Sequence, residues 1–244
     1  VPSCVKDKLL DRKVRRKLNI DQRKIYRRSL GKCNRAFRRW YLEQLITDKA
    51  VLANQMGLFW HNHFTSSLRK VKTSQLMYAQ HLSIEKNALG SFDKLLKAMV
   101  NDPAMLVYLD NVNNSKANPN ENLGRELLEL FTLGEGNYSE ADVLSAAKAL
   151  TGLRLNSSYQ SEVRSRLHDG SAKMIFSGMT IRSADDLVEA LLAHPQTSRH
   201  ITRSIWEHFI SEVDEQQVAQ LASTFARDWD IKQLVHGILN SDQF

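Results

Sequence analysis

The sequence predicts an all-α fold, a multi-helix orthogonal bundle with one short β-hairpin near residues 173–181. Three observations predict it. Apolar residues recur three and four positions apart along most of the chain, the period of a helix with one buried face. Helix-start signals repeat: Ser139 with Asp142, Ser183 with Asp186, and Asp102 followed by Pro103. Only 4 prolines and 10 glycines interrupt 244 residues. At 42% hydrophobic the chain can build a full core, as one large or two small domains.

Taken in order, Val5, Leu9, Leu10, Val14 and Leu18 mark a first helix. A second, over residues 22–30, turns Ile25, Tyr26 and Leu30 inward. Residues 35–46 form a third, amphipathic through Phe37, Trp40, Tyr41, Leu45 and Ile46. The next begins near residues 47–48 and runs through Phe-Trp-His-Asn-His-Phe, with Leu52, Met56, Phe59, Trp60, His63 and Phe64 on one face. Helices follow over residues 73–89, 91–100 and 105–109, then an asparagine-rich loop over 110–118. Asn118 caps a helix reaching residue 133, with Pro119 at its first position and Gly134 as C-cap. Leu123, Leu127, Leu128, Leu130 and Phe131 form its apolar arc, and Gly124 lies within that arc. Ser139 starts the next helix, with Val143, Leu144, Ala147 and Leu150 inward, and Gly152 ends it. Periodicity fades between residues 155 and 166, which reads as a loop. Residues 174–176 and 179–181 flank Ser177 and Gly178 as a hairpin. Four closing helices carry Leu187 and Leu191; Ile201, Ile205, Phe209 and Ile210, with Trp206 at the margin; Val218, Leu221 and Phe225; and Ile231, Leu234, Val235 and Ile238. His200, Arg203 and His208 read as surface or boundary residues.

Charge divides the chain. Residues 1–40 hold 15 of the 34 Lys and Arg but 3 of the 27 Asp and Glu, a formal +12 against −5 for the remainder. This sets a basic helical extension, 1–40, apart from a core domain, 41–244. Such a patch is either a solvated face or a dock for an anionic polymer. Nucleic acid is disfavoured as that partner, because stacking aromatics are limited to Tyr26, Phe37 and Trp40 and no zinc-finger or RNA-binding signature occurs. No apolar run reaches the roughly 18 residues of a transmembrane segment. The chain begins at Val1, as it would after removal of a leader. Cys4 and Cys33 are the only cysteines; a bridge and two free buried thiols are both compatible with them.

The candidate chemistry is scattered. Asn122, Arg125, Glu126 and Glu129 form a polar stripe on one helix face. Either it is solvated, with an Arg125–Glu129 pair worth a few tenths of a kcal/mol, or it walls a pocket with Glu126 held ionised by Arg125. His61 and His63 diverge by about 200° on a helix and cannot chelate one metal there. His63, on the apolar face, is either a hydrogen-bonded core histidine or a ligand. His168, Asp169 and Lys173 surround a glycine turn that could transfer protons or bind an anion. The standard hydrolase, nucleotide-loop and zinc-protease motifs are absent.

The segment Asn-Glu-Asn-Leu-Gly-Arg-Glu-Leu-Leu-Glu-Leu, the glycine-rich turn with Tyr138, and Asp-Val-Leu-Ser-Ala-Ala-Lys-Ala-Leu-Thr-Gly carry a family resemblance. Together they resemble the hallmark of the "domain of unknown function 1800" family. Phe-Trp-His-Asn-His-Phe, Asp-Pro-Ala-Met-Leu-Val-Tyr-Leu-Asp-Asn, His-Asp-Gly-Ser-Ala-Lys, His-Pro-Gln-Thr-Ser-Arg-His-Ile and the closing Ile-Leu-Asn-Ser-Asp-Gln-Phe fit it in order, from about Trp40 to the end. The resemblance implies a bacterial protein, secreted or periplasmic, often encoded beside sulfatase-like proteins, which makes an exported sulfatase-like protein a candidate partner. It implies no activity.

Two functions compete, with nucleic-acid binding as a third that rests on charge alone. One is a hydrolase-like enzyme whose pocket is drawn from His63, Arg125, Glu126, Glu129, His168, Asp169 and Lys173, acting on a glycan or sulfated polymer. In that reading Glu126, His63 and Asp169 surround one cavity, and a divalent metal on these three is the cofactor it could hold. The other is a non-catalytic module that docks polyanions through residues 1–40. Convergence of the motifs on one pocket favours the first; motifs acting as separate helix locks favour the second.

Overall fold

The computed structural model describes residues 1–47, 50–176 and 178–244. Asp48, at the expected start of the fourth helix, and Ser177, in the hairpin turn, lie outside them. Among the described residues the fold is all-α, with thirteen α-helices and two small antiparallel sheets of two strands each.

The N-terminal third departs most from expectation. Instead of one helix over residues 5–18 there is a single 3-10 turn, Ser3–Val5, and a short helix α1, Arg12–Lys17. The next two expected helices are one, α2, Ile20–Thr47. The boundary expected between residues 40 and 41 falls inside it. Its inward residues are Cys33 and Phe37, which join Val5 in a small cluster. Ile25, expected inward, points outward at 66% exposed, while Tyr26 and Leu30 are partly buried. Cys4 and Cys33 form a disulfide, so of the two states the sequence leaves open the bridged one is present. The Gln75 side chain donates to the Cys4 carbonyl and ties the same point to the body.

Seven helices make up the middle of the chain: α3, Val51–His63; α4, Leu68–Val71; α5, Ser74–Asn87; α6, Phe92–Val100; α7, Pro103–Tyr108; α8, Asn122–Leu128; and α9, Glu140–Ala149. Asp102 caps α7 through the Met105 amide and accepts from Gln80. The Ser139–Asp142 capping box is present on α9, and the spare oxygen of Asp142 accepts from the Phe176 amide. Gly124 matters because α8 and α9 touch there: a Cβ on it would sit 3.0 Å from the Ala147 amide nitrogen.

The expected hairpin is β3, Lys173–Ile175, paired with β4, Met179–Ile181. A second sheet replaces the expected loop: β1, Leu153–Leu155, pairs with β2, Ser161–Val163. Three-residue strands are too short for a period-2 signal; the Asn156 side chain, which accepts from the Ser158 and Gln160 amides, closes their turn. The chain ends in α10, Ala184–Ala193; α11, Pro195–Phe209; α12, Glu215–Asp228; and α13, Ile231–Leu239. One core runs from α3 to α13. Trp60 and Trp206 are both fully buried within it, and each indole N–H finds a carbonyl, of Ala88 and Glu212. Trp206 is therefore a core residue, not a marginal one.

The disulfide spans 29 positions, and closing a loop of that size restricts the unfolded chain. Reduction, or Cys4→Ser with Cys33→Ser, is expected to lower stability by about 2–4 kcal/mol. Denaturant titration with and without reductant measures it.

Candidate functional site

The helix expected from Asn118 begins later than its sequence implies. Asn118 is bridged to Ser115, and α8 starts at Asn122, whose amide is held by the Asn120 side chain. The preceding asparagines serve the backbone. Asn111 donates to the carbonyls of Leu150 and Leu153, and Asn114 donates to that of Ala147. Both are buried and close the end of α9.

Arg125 makes no pair with Glu129. Its guanidinium grips Glu140 with two bonds, 2.8 and 2.7 Å, and Glu121 at 3.2 Å, locking α8 to the start of α9. Glu129 accepts from the Tyr138 hydroxyl. Glu126 is half-buried, and its carboxyl is raised above the ordinary range by burial and by Glu129, with Arg125 opposing. Asn122 is exposed.

At Glu129 the helix widens into a π-turn, Glu129–Leu133, closed by the Gly134 amide on the Glu129 carbonyl. A π-turn ends with carbonyls that helical amides do not reach, and side chains meet them here. His63, from the end of α3, bonds to Phe131 O at 3.1 Å; His200, from α11, bonds to Leu130 O at 3.2 Å. Thr132 donates to Leu127 O and Asn137 to Leu133 O. A carbonyl only accepts, so each histidine carries its proton on Nε2 and leaves Nδ1 bare. The two rings stand 6.3 Å apart. Burial pushes the His63 imidazolium down to about 4, a fall the Phe131 carbonyl opposes and His200 reinforces. His200 is lowered by burial as well. Gly134 has φ 78°, and a Cβ there would lie 2.9 Å from His200 Nδ1, so a glycine is required. Beside this turn lies a groove of about 420 Å3 lined by Gly134, Asn137, Gln196, Arg199, His200 and Arg203. Arg203 is paired with Glu207 and Glu215.

His168, Asp169 and Lys173 form a separate lock. His168 Nδ1 bonds to Thr151 O at 2.8 Å, and the Asp169 amide donates to the Thr151 hydroxyl. Lys173 is buried, donates to the carbonyls of Asp169 and Ser171, and lies 3.5 Å from the Asp169 carboxylate. Burial lowers its ammonium, and Asp169 partly restores it. The turn is thus fastened to the end of α9, where Gly152, at φ 75°, lets the His168 and Arg164 backbones approach.

A third polar group escaped the sequence reading. His61 Nε2 and His81 Nδ1 are 3.1 Å apart, and His81 Nε2 is 3.2 Å from Glu85, beneath Trp40 and Tyr41. Burial, then His81, brings His61 down to about 4. His81 sits at ordinary helical spacing from Glu85, which signals only a surface pair; its meeting with His61 is tertiary.

Among the described residues, no hydrogen bond or ion pair joins His63 to Glu126 or to Asp169. Nor do three or more His, Cys, Asp or Glu side chains gather there to hold a metal ion. What the structure brings together instead is His63 and His200 on the π-turn. The sequence reads His200 as a surface or boundary residue; it is partly buried, and its bond to the π-turn is a tertiary contact that no local spacing marks.

A family model described as "Protein of unknown function (DUF1800)" matches residues 5–244. The match reaches well upstream of Trp40 and includes the basic helix. Neither curated proteins nor solved structures give a match.

The His63 shift has a pH signature. Its folded-state value is depressed, so its stabilising contribution is complete above about 6.5 and is lost as pH falls through 6.5 towards 4. The thermal midpoint should fall across that window. His63→Gln, which keeps a donor for the Phe131 carbonyl but does not titrate, should show a fall smaller by roughly 1–3 kcal/mol equivalent. Parallel melts at pH 4.5 and 7 measure the difference.

Proposed function

This chain belongs to the DUF1800 family, and we propose that it acts as a docking protein for an anionic polymer, held through its basic segment. The observation that carries the reading is a continuous run of cationic grooves on α1 and α2. One, about 760 Å3, is lined by Arg23, Lys24, Arg27, Arg28, Lys32 and Arg35 around Ile20 and Gly31. A second, about 350 Å3, adds Arg15 and Arg16. No acidic side chain lines either. Fixed cations on a stiff helix attract a polyanion at long range and release its counterions on contact. Phe37 and Trp40 are spent on ring contacts with Tyr78, Tyr41 and His81, which leaves little surface for stacking bases and favours a non-nucleic polymer.

The motif residues support the same side of the choice: Arg125, Lys173, His63 and the asparagines each fasten one element to another. The Cys4–Cys33 bridge supports an oxidising, exported setting. A second reading, a hydrolase-like enzyme acting on that polymer, rests on the π-turn groove, which His200 and Arg199 line.

Deleting residues 1–40 would remove Cys33 and Phe37 from the core, so charge substitution is the cleaner test. Arg23, Arg27, Arg28 and Arg35 are exposed. Changing all four to Gln should bring elution from immobilised heparin to clearly lower salt and flatten the salt dependence of binding. Unchanged elution, with an unchanged circular-dichroism spectrum, refutes docking through this helix.

A further inference from the structure

The basic segment does not end on its own helix. The Arg12 amide donates to Ser157 O at 3.0 Å and its guanidinium to Leu155 O at 3.3 Å, which lays α1 against the β1–β2 hairpin. Three guanidiniums meet at that seam. Arg154 is held by Val112 O at 2.5 Å, and Arg164 by Glu162 at 2.8 Å. With Lys13 and Arg16 they line a cavity of about 320 Å3 that no acidic side chain lines. Asp11 is turned aside, its carboxylate taken by the Lys13 amide and by Ser157.

We infer that this seam is a binding site for a single tetrahedral oxyanion, a phosphate or sulfate group carried on the docked polymer. The inference rests on the polyanion reading and gives it a discrete point of recognition. Each guanidinium presents five N–H donors in a fixed fork. The described bonds use one donor on each of Arg12, Arg154 and Arg164, so most of their donors remain for a ligand. The anchors are backbone carbonyls and one sheet-paired carboxylate, so the forks are held before a ligand arrives. Like charges this close repel. Arg154 is pushed down from its ordinary value by burial, then by Arg164, Arg12 and Arg166, with Glu162 only partly opposing. An oxyanion placed among them removes that repulsion and accepts bidentate hydrogen bonds. Aromatic rings are absent from the lining, so the site reads an anionic group and not a base.

The test is a thermal-shift titration of the full chain with inorganic sulfate and, separately, inorganic phosphate, against sodium chloride at equal ionic strength. Binding should raise the midpoint by about 3 °C at ten times the dissociation constant. No shift from either ion overturns the proposal; the larger shift identifies the ester. Arg154→Gln should abolish the shift. Should that variant not fold, Arg164→Gln, whose side chain is 39% exposed, should at least halve it. A folded variant with the full shift overturns the site. The four-fold Gln variant of α2 should keep the shift while eluting from heparin at lower salt; loss of the shift in that variant places the ion on α2 and overturns the seam. If it instead keeps heparin retention, docking through α2 fails while the oxyanion site stands.

Discussion

The carbonyls of the π-turn are the constraint around which the middle of this molecule is arranged. A backbone oxygen left unpaired in the interior costs about 1–3 kcal/mol, and Glu129–Leu133 presents several at once. Three side chains from separate stretches meet them: His63 from α3, His200 from α11, and Asn137 from the glycine-rich turn that follows, while Thr132 bonds back to Leu127 O in α8. That requirement fixes how α3 and α11 approach α8. It also explains why a histidine lies on the otherwise apolar face of α3, where Phe59, Trp60 and Phe64 surround it. Burial, working against these same carbonyl bonds, pushes both imidazoles below their ordinary value.

The helical architecture was legible in the sequence because burial and capping are local. Ser139–Asp142, Ser183–Asp186 and Asp102–Pro103 are all caps in the structure. Less legible were features set by partners far along the chain. The two helices expected over residues 22–46 are continuous, and α2 runs through Gly31 and Asn34 although both are weak helix formers. Arg125 chose Glu140 over Glu129 because a neighbouring helix start offered a two-pronged partner. The polar cluster drawn from His63, Glu126 and Asp169 placed one helix end, one helix face and one turn together with no spacing rule to support it. His63 instead serves the π-turn and Asp169 the Thr151–Lys173 lock. Nothing in the local sequence marks a π-turn, because the residues of Glu129–Leu133 are ordinary helix formers.

Charge and covalent structure combine at the other end. A basic helix of this density repels itself and neighbouring basic turns. Here Cys4–Cys33, the Gln75–Cys4 contact and the Arg12–hairpin bonds hold it beside Arg154 and Arg164 nonetheless. Its like charges are thereby kept at fixed separations on one surface. The small apolar cluster of Val5, Cys33 and Phe37 is the matching hydrophobic anchor.

The widened turn also bears on which changes of length the chain can absorb. Removing one residue between Glu129 and Leu133 would restore a regular helix and improve its internal hydrogen bonds. It would also rotate everything downstream by about 100° relative to α8. Leu130 O and Phe131 O would then no longer face the two imidazoles, and Gly134 would leave its place against His200. This short stretch is therefore a register element: its residue count, more than any one of its side chains, keeps the two histidines and the glycine-rich turn in phase.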